Sequence, residues 1–425
     1  MLMRAPEATP CSTIPPEEIV PGAAVAGSQR CCWPRRARPA GPMRSLLSAL
    51  ALGLAAIAGA ALAQSGGPAN DRPACEAQAA SGVSLTRLGM MARGFNLSGW
   101  VDGATVRRPD LDLLATLHRR GFTHVRLPVG AERVMEAFST MGEVADRLAE
   151  IDRAITTLML IGYAVSLDVH PGAPFNRLHR AEPDRALALL EELWRTLARR
   201  YGGHDPDRLL FEVLNEPVVD AALWGRQGPR LVAAIRREAP GHTIVFGHAN
   251  SQRIDALANV QPLDDRNVVY AAHFYDPMIF THQGQDWSDD PLRWLSGVPF
   301  PARLSDPPVV RLLESLDQRG RDAAAAAMRT ALQAPWTEAR VEAAVAEAAA
   351  WAKRHQLPVI INEFGVLGWK AAPVDRARWL GTVRRAAERH CIGWTHWEYA
   401  DAFGFVRRTA QREVPDETIL RALLD

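Results

Sequence analysis

Lysine is nearly absent from this sequence of 425 residues, where it occurs only at Lys353 and Lys370. The 49 basic residues are therefore almost all arginine, and 48 acidic residues balance them to a formal net charge of +1. A balanced charge gives no reason to expect a polyanionic partner. The arginine clusters also lack the interleaved aromatic residues of a nucleic-acid-binding face, so we predict that the protein does not bind nucleic acid.

Motifs of several other enzyme classes are missing as well. No glycine-rich phosphate loop follows the first predicted strand, which argues against a dinucleotide-binding sheet. No Gly-x-Ser-x-Gly motif stands at the key turns, so a serine hydrolase finds no support. The histidines and cysteines are not clustered at metal-ligand spacing. We therefore expect neither a cofactor nor a catalytic metal.

Long hydrophobic runs are also scarce, and the first covers residues 46–63, between Met43-Arg44 and Gln64. A short positive region, an apolar run rich in alanine and leucine, and a small-x-small end are typical of a secretory signal peptide. A membrane anchor is the alternative, but the run is short for a span. We predict a disordered upstream extension at 1–42, a signal peptide at 43–63 and an N-terminal segment at 64–90. The mature protein would be secreted or periplasmic, with no stable membrane span.

Export would leave an even number of cysteines. Cys11, Cys31 and Cys32 lie upstream of the predicted cleavage site, and Cys75 and Cys391 lie downstream of it. A pair in an oxidising compartment can form a disulfide. Cys75 precedes the first predicted strand and Cys391 precedes the last, and these strands would be neighbours in a closed barrel. A disulfide at its lower face and two unpaired thiols both remain open.

From residue 91 onward, short apolar runs alternate with amphipathic stretches. The runs are rich in Val, Ile, Phe and Leu, as expected of strands covered on both faces. The predicted strands are 91–97, 123–129, 163–170, 209–216, 243–248, 268–275, 358–363 and 393–398. The predicted helices are 110–120, 143–161, 183–201, 230–238, 337–355 and 375–390. This alternation predicts an α/β fold, a single (β/α)8 TIM barrel over residues 91–425, with a doubly wound sheet as the rival.

The connection between the sixth strand and the next helix is too long for a simple loop. It covers about residues 277–335 and contains Trp287 and Trp294. Within it, the stretch 309–333 is predicted to add helix. Because barrel enzymes carry their function on loops at the carboxyl ends of the strands, we expect this insertion to shape a cleft.

Two predicted strands end in the dipeptide Asn-Glu, at Asn215-Glu216 and at Asn362-Glu363. Each delivers a carboxylate where a strand leaves the core. Two carboxylates on the rim of one pocket are the minimum equipment for splitting a glycosidic bond with acid/base help. Further polar residues stand at strand ends, which favours function over stability; they are Arg126, His170, His273, Tyr275 and Trp397.

Seven motifs together resemble glycoside hydrolase family 5, the cellulase family, over about residues 90–405. In chain order they are Arg93-Gly-Phe-Asn-Leu-Ser-Gly-Trp100, Val125-Arg-Leu-Pro128, Asp168-Val-His170, Leu214-Asn-Glu-Pro217, His273-Phe-Tyr275, Asn362-Glu-Phe-Gly365 and Trp397. The resemblance implies that Glu216 is the general acid/base and Glu363 the nucleophile of a retaining mechanism. It also implies that Arg126 holds Glu363 ionised and that Tyr275 offers its hydroxyl to Glu363.

The same resemblance implies a set of substrate contacts. His170 and His273 line the floor of the reacting subsite, Asn215 bonds the sugar 2-hydroxyl, and Trp397 is the platform on which the sugar stacks. Asp168 lies two residues before His170, on the same face, and supports it. We further expect Asn96 to form a wall of the site. Tryptophans on loops extend the cleft or simply pack; they are Trp100, Trp224, Trp287, Trp294 and Trp369.

The resemblance thus predicts a β-glycosidase that acts on a β-linked glucan without a cofactor. Together with the predicted signal peptide it indicates a secreted enzyme, which we expect to be a monomer. An endo-β-1,4-glucanase leads among the possible activities. An exo-β-1,3-glucanase, a β-mannanase and a transglycosylase share the same catalytic residues, because loop shape decides the substrate. A non-catalytic glycan-binding barrel is the alternative from another class, although such a relic would be expected to have lost one of the glutamates.

Overall fold

Eight parallel strands close into a barrel in which each strand pairs with the next and the last pairs with the first. The computed structural model describes residues 81–288 and 290–425. The strands are β1 (Arg93–Asn96), β2 (His124–Gly130), β3 (Ala164–His170), β4 (Leu209–Glu212), β5 (Ile244–Gly247), β6 (Val268–Phe274), β7 (Val359–Phe364) and β8 (Gly393–His396). The predicted barrel is confirmed, and the doubly wound sheet is wrong.

The barrel closes where β1 lies between β2 and β8, with Gly94 opposite both His124 and Thr395. A Cβ at Gly94 would meet the His124 carbonyl oxygen at 2.5 Å and the Thr395 methyl group at 2.6 Å. Only glycine allows the neighbouring strands to approach this closely. This glycine therefore serves the closure of the barrel.

Helices surround the barrel and fill most of the connections. They are α1 (Leu85–Met90), α2 (Leu111–Arg119), α3 (Met141–Ile161), α4 (Ala173–Ala181), α5 (Pro183–Tyr201), α6 (Ala221–Glu238), α7 (Met278–Thr281), α8 (Pro307–Gln318), α9 (Asp322–Ala331), α10 (Glu338–His355), α11 (Pro373–Arg389) and α12 (Glu417–Leu424). A short hairpin, β9 (Val406–Arg408) with β10 (Glu413–Pro415), precedes α12. Sequence analysis did not predict α1, α4, α12 or this hairpin.

Two predicted helix boundaries were wrong for identifiable reasons. The helix predicted from residue 230 begins at Ala221, because the side chain of Asp220 caps it by accepting from Leu223 N–H and Pro229 is tolerated inside it. The helix predicted over 309–333 is split into α8 and α9. The break contains Gly320, whose φ of 63° is left-handed and ends the first helix.

The barrel interior changes from apolar to polar along the strands. Along each strand, every second side chain points into the barrel. At the start of the strands they form a small apolar cluster that includes Ala164, Leu210, Val245 and Ile360. Further along β3 and β4 the inward positions carry the charged groups Asp168 and Glu212. The apolar layer therefore supports a polar layer at the carboxyl ends, where barrel enzymes place their sites.

Several predictions fall outside the described residues, namely the upstream extension, the signal peptide, the segment up to residue 80, and Cys75. Cys391 is disulfide-bonded. Of the two alternatives left open, the unpaired thiol is therefore wrong for Cys391, and a bridge to Cys75 stays a prediction. Across residues 81–288 and 290–425, none of the helices combines the length and apolar character that a membrane crossing requires.

Candidate active site

The two predicted catalytic carboxylates face each other at the mouth of the barrel. One carboxylate oxygen of Glu216, one of Glu363 and a ring nitrogen of His273 all lie within 4.8 Å of one another. Glu363 lies on β7. Glu216 does not lie on β4, which was predicted to reach it but ends at Glu212. The geometric expectation that folding brings residues 216 and 363 to one site is met.

A register shift helps to bring these groups together. β6 and β7 pair regularly up to Ala272 opposite Ile361, and then His273 pairs with Glu363, so that β7 has one extra residue. A bulge of this kind re-aims the side chains that follow it and is common beside active sites. As a result, His273 and Glu363 point into the same mouth from neighbouring strands.

Glu363 is held at both carboxylate oxygens. Arg126 Nη1 donates to Oε1 at 2.7 Å, and the Tyr275 hydroxyl donates to Oε2 at 3.0 Å. The side chain of Glu363 is nearly buried, with 7% exposed. Two donors to one carboxylate fix its plane. The group is therefore oriented, as a nucleophile requires.

Arg126 is fully buried, and every one of its N–H groups has a partner. Nε and Nη2 bond the two oxygens of Glu212 at 2.8 and 2.7 Å. Nη1 donates to Asn96 Oδ1 and Glu363, and the second Nη2 hydrogen goes to Asn215 Oδ1 at 2.9 Å. A guanidinium has five N–H donors, so this set leaves none unsatisfied. Rotation of Arg126 would break several bonds at once.

Three carboxylates surround this single cation, because Asp168 lies 3.0 Å from Arg126 Nη2 in addition to Glu212 and Glu363. Desolvation lowers the pKa of Arg126, but the three carboxylates raise it well above its usual range. Desolvation raises the pKa of Glu212, which Arg126 opposes. Glu212 was missed in the sequence analysis. Its signal was its position four residues before Glu216 in a strand whose alternate residues point inward.

Glu216 is surrounded by groups suited to a proton donor. Its Oε1 lies 2.9 Å from His273 Nδ1. Desolvation raises its pKa; His170 and Arg126 oppose this, and the charge of Asp168 adds to it. The side chain is 37% exposed, toward the cleft. Glu216 therefore keeps its proton to higher pH than a free carboxylic acid and can still reach a substrate.

The two histidines of the site differ in charge. Desolvation is the main cause that lowers the pKa of His273 to about 4, so its ring is neutral. Desolvation also acts on His170, but the charge and the 2.8 Å hydrogen bond of Asp168 raise the pKa of this ring to about 9. His170 is therefore charged near neutral pH, and both of its ring nitrogens are donors.

Asn215 and Trp397 complete the wall beside His170. The oxygen of Asn215 accepts from Arg126, so its amide nitrogen points away, 3.2 Å from His170 Nε2. When His170 is charged, its Nε2 and the amide nitrogen of Asn215 are both hydrogen-bond donors, so neither can accept from the other. Both are therefore available to donate to sugar hydroxyl groups. The ring of Trp397 stacks on that of His170, with 5.6 Å between centroids and 19° between planes.

Two predicted site residues lie elsewhere. Trp100 is only 1% exposed and donates its indole N–H to Glu150 on α3 at 2.7 Å, so it packs in the core and cannot extend the cleft. Asn96 is fully buried, and its amide nitrogen donates to the carbonyl oxygens of Asn362 and His396. It forms no wall of the cleft but instead positions Arg126. Trp224 is also buried, at 3% exposure.

A further buried carboxyl group lies next to Trp397 and was also missed. The Ser98 hydroxyl donates to Oε2 of Glu398, which is 7% exposed. Desolvation raises the pKa of Glu398 to about 7. No pattern in the sequence distinguishes Glu398 from a surface residue, because its burial depends on the segments 98–102 and 401–403 that fold over it.

Glu216, His273 and Glu363 are also the kind of residues that bind metals. Here His273 Nδ1 and Glu216 Oε1 are 2.9 Å apart, and both oxygens of Glu363 accept hydrogen bonds. The three groups are thus engaged with one another and with Arg126 and Tyr275, an arrangement that suits proton transfer and nucleophilic attack.

A (β/α)8 barrel with two facing carboxyl groups at its mouth, one of them oriented by an arginine and a tyrosine, points to a class of protein, the O-glycosyl hydrolases. Residues 83–402 match the family model "Cellulase (glycosyl hydrolase family 5)". The chain belongs to this family, whose members are retaining, and the resemblance seen in the sequence is confirmed.

Curated relatives agree with this assignment. Endoglucanase 3 of Fibrobacter succinogenes is 28% identical over 334 residues, which are 74% of this chain and 50% of that protein. Endoglucanase C of Acetivibrio thermocellus is 31% identical over 225 residues, which are 49% of this chain and 65% of that protein. The chain thus spans between half and two thirds of the length of these relatives.

Solved structures share the fold. One chain described as an endoglucanase has 21% identity and a TM-score of 0.65, and the alignment covers 80% of this chain and 99% of that one. Thermotoga maritima Cel5A in complex with mannotriose has 22% identity and a TM-score of 0.64, with 79% and 98% covered. At this identity the likeness shows a common barrel.

Proposed function

We propose that the protein is an exported, retaining endo-β-1,4-glucanase that cleaves a β-glucan by double displacement. The observation that carries the proposal is the spacing of Glu216 and Glu363, whose facing carboxylate oxygens lie within 4.8 Å. Retaining glycosidases hold their carboxyl groups about 5–5.5 Å apart, whereas inverting enzymes leave about 6.5–9.5 Å for a water molecule. The short spacing supports direct attack on the sugar by one carboxylate.

In the first step Glu363 attacks the anomeric carbon, the bond to the glycosidic oxygen breaks, and Glu216 gives its proton to that oxygen. Arg126 and Tyr275 hold the carboxylate of Glu363 in a fixed orientation, so little reorganisation is needed. The raised pKa of Glu216 keeps the acid protonated. The product is a covalent glycosyl-enzyme and a free leaving group.

In the second step Glu216, now a carboxylate, takes a proton from water as the water oxygen attacks the anomeric carbon. The bond to Glu363 breaks, and the β configuration is restored by the second inversion. The neutral ring of His273 supports the carboxylate stage by donating from Nδ1 to Glu216 Oε1. Glu216 thus serves as the acid in one step and as the base in the next.

The sugar would lie on the half-buried ring of Trp397. Asn215 and the charged ring of His170 offer donors to its hydroxyl groups, with Asn215 on the 2-hydroxyl. Beyond them, Trp287 and Trp369 are 56% and 44% exposed and lie 6.0 Å apart between ring centroids. Their exposure supports a cleft that extends past the reacting sugar, as cleavage within a chain requires.

A β-1,4-glucan is favoured as substrate by the curated relatives, which include the endoglucanases above and Cellodextrinase A of Ruminococcus flavefaciens. A β-mannanase, an exo-β-1,3-glucanase and a transglycosylase would use the same carboxyl groups. Thermotoga maritima Cel5A, which shares the fold, was crystallised with both mannotriose and cellobiose. A mannan therefore belongs in any test of substrate.

The deciding experiment is a screen of the purified protein on defined β-1,4-, β-1,3- and mixed-linkage gluco-oligosaccharides and on β-mannan, with product analysis by chromatography. We expect internal cleavage of β-1,4-glucan chains and no activity in Glu363→Gln. Dominant release of single glucose units from β-1,3 chains, or products longer than the substrate, would support the exo-acting or transglycosylating alternatives instead. Binding of glycans without cleavage would contradict the proposed enzyme.

Export is proposed from the sequence of residues 43–63. The test is the amino terminus of the protein recovered from its native host. We expect cleavage near Gln64 and recovery outside the cytoplasm. Recovery of an uncleaved chain in the membrane fraction would instead support an anchor.

A further inference from the structure

The side chain of Gln252 contacts the main chain of Glu216. It is fully buried, and its Oε1 accepts the backbone N–H of Glu216 at 2.7 Å. Its own carbonyl oxygen accepts the backbone N–H of His273 at 2.7 Å. His273 in turn bonds the carboxyl group of Glu216. Gln252 therefore holds the main chain of Glu216 directly. It also holds the main chain of His273, which bonds the carboxyl group of Glu216.

The backbone on both sides of this contact is unusual. Asn250, Ser251 and Gln252 have φ values of 63°, 51° and 49°, and Glu216 has φ 42°. Residues other than glycine rarely adopt this left-handed region, and they do so where surrounding contacts hold them. The hydrogen bond from Glu216 N–H to Gln252 joins these two left-handed segments. The contact therefore fixes the direction in which Glu216 leaves its main chain.

Gly247, at the end of β5, provides the room for the Gln252 side chain. A Cβ at Gly247 would lie 1.8 Å from Gln252 Nε2 and 2.3 Å from its amide carbon. Because the obstructing atoms belong to the end of a side chain, a larger residue at 247 would displace the amide rather than the barrel. The strand thus contains a glycine where the amide of Gln252 needs space.

The amide nitrogen of Gln252 has no hydrogen-bond partner within the described part of the chain, although it is buried. A buried donor without a partner costs stability, so a residue selected only for packing would be expected to be apolar here. The oxygen is the half of the side chain that contacts Glu216. This pattern indicates that the acceptor is kept for its effect on Glu216.

We propose that Gln252 is a positioning residue that orients the acid/base Glu216 for proton transfer to the leaving group. The inference rests on the proposed function. Loss of the contact would let Glu216 turn away from the glycosidic oxygen while Glu363 and its partners stay in place. Bond cleavage that needs a proton should then slow, and cleavage that needs none should not.

The test compares Gln252→Met and Gly247→Ala with the wild type on aryl β-cellobiosides. Dinitrophenolate leaves without a proton, whereas a methylphenol needs one. We expect kcat/KM for the methylphenyl substrate to fall about tenfold or more, with the full contribution of general acid catalysis, about 10²–10⁴, as the upper limit. For the dinitrophenyl substrate it should change by less than about twofold. Gly247→Ala keeps Gln252 and displaces only its amide, so it should show the same selective loss.

Ser251→Ala is the matched control, because Ser251 belongs to the same left-handed turn but has an exposed side chain. It should behave as the wild type with both substrates. Equal losses on both substrates together with a lower melting temperature would show that Gln252 has a merely structural role, and unchanged kinetics would also overturn the inference. If Gln252→Met does not fold, Gly247→Ala decides. A wild type inactive on every cellobioside would instead overturn the proposed function itself.

Discussion

Arg126 donates a 2.7 Å hydrogen bond to Glu363 from a guanidinium that is fully buried and whose other N–H groups are all engaged. The bond therefore cannot be exchanged for another partner without loss. Glu363 is oriented by a residue that is itself oriented by Glu212, Asn96 and Asn215. The catalytic geometry thus depends on a polar layer that lies below the residues that face the substrate.

Arg126→Met should destabilise the protein, because it leaves buried carboxylates without their cation. Removal of one partner from a buried ion pair costs about 3–5 kcal/mol. The difference in free energy of unfolding between the variant and the wild type should become smaller as the pH falls, because the unpaired carboxylates then take up protons. Urea unfolding at neutral and acid pH measures this. Arg185→Met is the control, since both side chains of its pair with Glu182 are more than half exposed, and such a pair contributes about 1 kcal/mol or less.

The pH dependence of kcat/KM should show an alkaline limb set by the loss of the Glu216 proton. Desolvation raises the pKa of Glu216, and the charge of His170 lowers it. The His170 ring has a pKa of about 9 and so is charged across the neutral range. His170→Asn removes this charge and should move the alkaline limb to higher pH. An unchanged alkaline limb would show that His170 is neutral in the active enzyme.

Glu398→Gln should change the pH dependence of stability. Desolvation raises the pKa of Glu398 in the folded state to about 7 from an ordinary value of 4.5. Below pH 4.5 both states are protonated. As the pH rises towards 7 the unfolded chain ionises first, so the wild type loses stability, on the order of 3 kcal/mol in total. The Glu398→Gln variant should lack this loss, which chemical unfolding between pH 4 and pH 8 measures. If its free energy of unfolding depends on pH as steeply as that of the wild type, the raised pKa of Glu398 is contradicted.

Trp100 and Trp397 should respond to mutation in opposite ways. Trp100→Ala removes a buried ring and the partner of Glu150, so stability should fall by about 3–5 kcal/mol while KM of the folded fraction is unchanged. Trp397→Ala should keep most of the stability and lower kcat/KM. Calorimetry and oligosaccharide kinetics on both variants separate the two roles. A raised KM in Trp100→Ala would restore Trp100 to the cleft.

The barrel and its paired glutamates could be predicted because short apolar runs have a simple physical origin. Strands covered on both faces must be apolar, and parallel strands place their carboxyl ends at one rim. A carboxylate at the end of such a run therefore lies at the mouth. This argument needs no knowledge of the packing, and it places Glu363 and, within a few residues, Glu216.

The other features of the site could not be predicted, because they depend on tertiary contacts that the hydrophobic periodicity of the sequence does not encode. Trp100 and Trp287 both lie on loops, yet only Trp287 is exposed, because Glu150 on α3 captures the indole of Trp100. Gln252 and Glu212 are polar residues whose partners are distant in the chain, at Glu216 and Arg126. The role of Gln252 follows from the fold and from no local pattern. For Glu212 the strand pattern indicates an inward side chain, but only the fold shows that Arg126 is its partner.

The most direct test of the account is to identify the residue that bonds to the sugar. A fluorinated dinitrophenyl β-cellobioside, in which fluorine replaces the 2-hydroxyl, should form the glycosyl-enzyme quickly and release it slowly. Peptide mass spectrometry after brief reaction should find one added disaccharide on the peptide that contains Glu363. An adduct on another residue, or no adduct together with a product of α configuration, would contradict the retaining mechanism proposed for this pair of carboxylates.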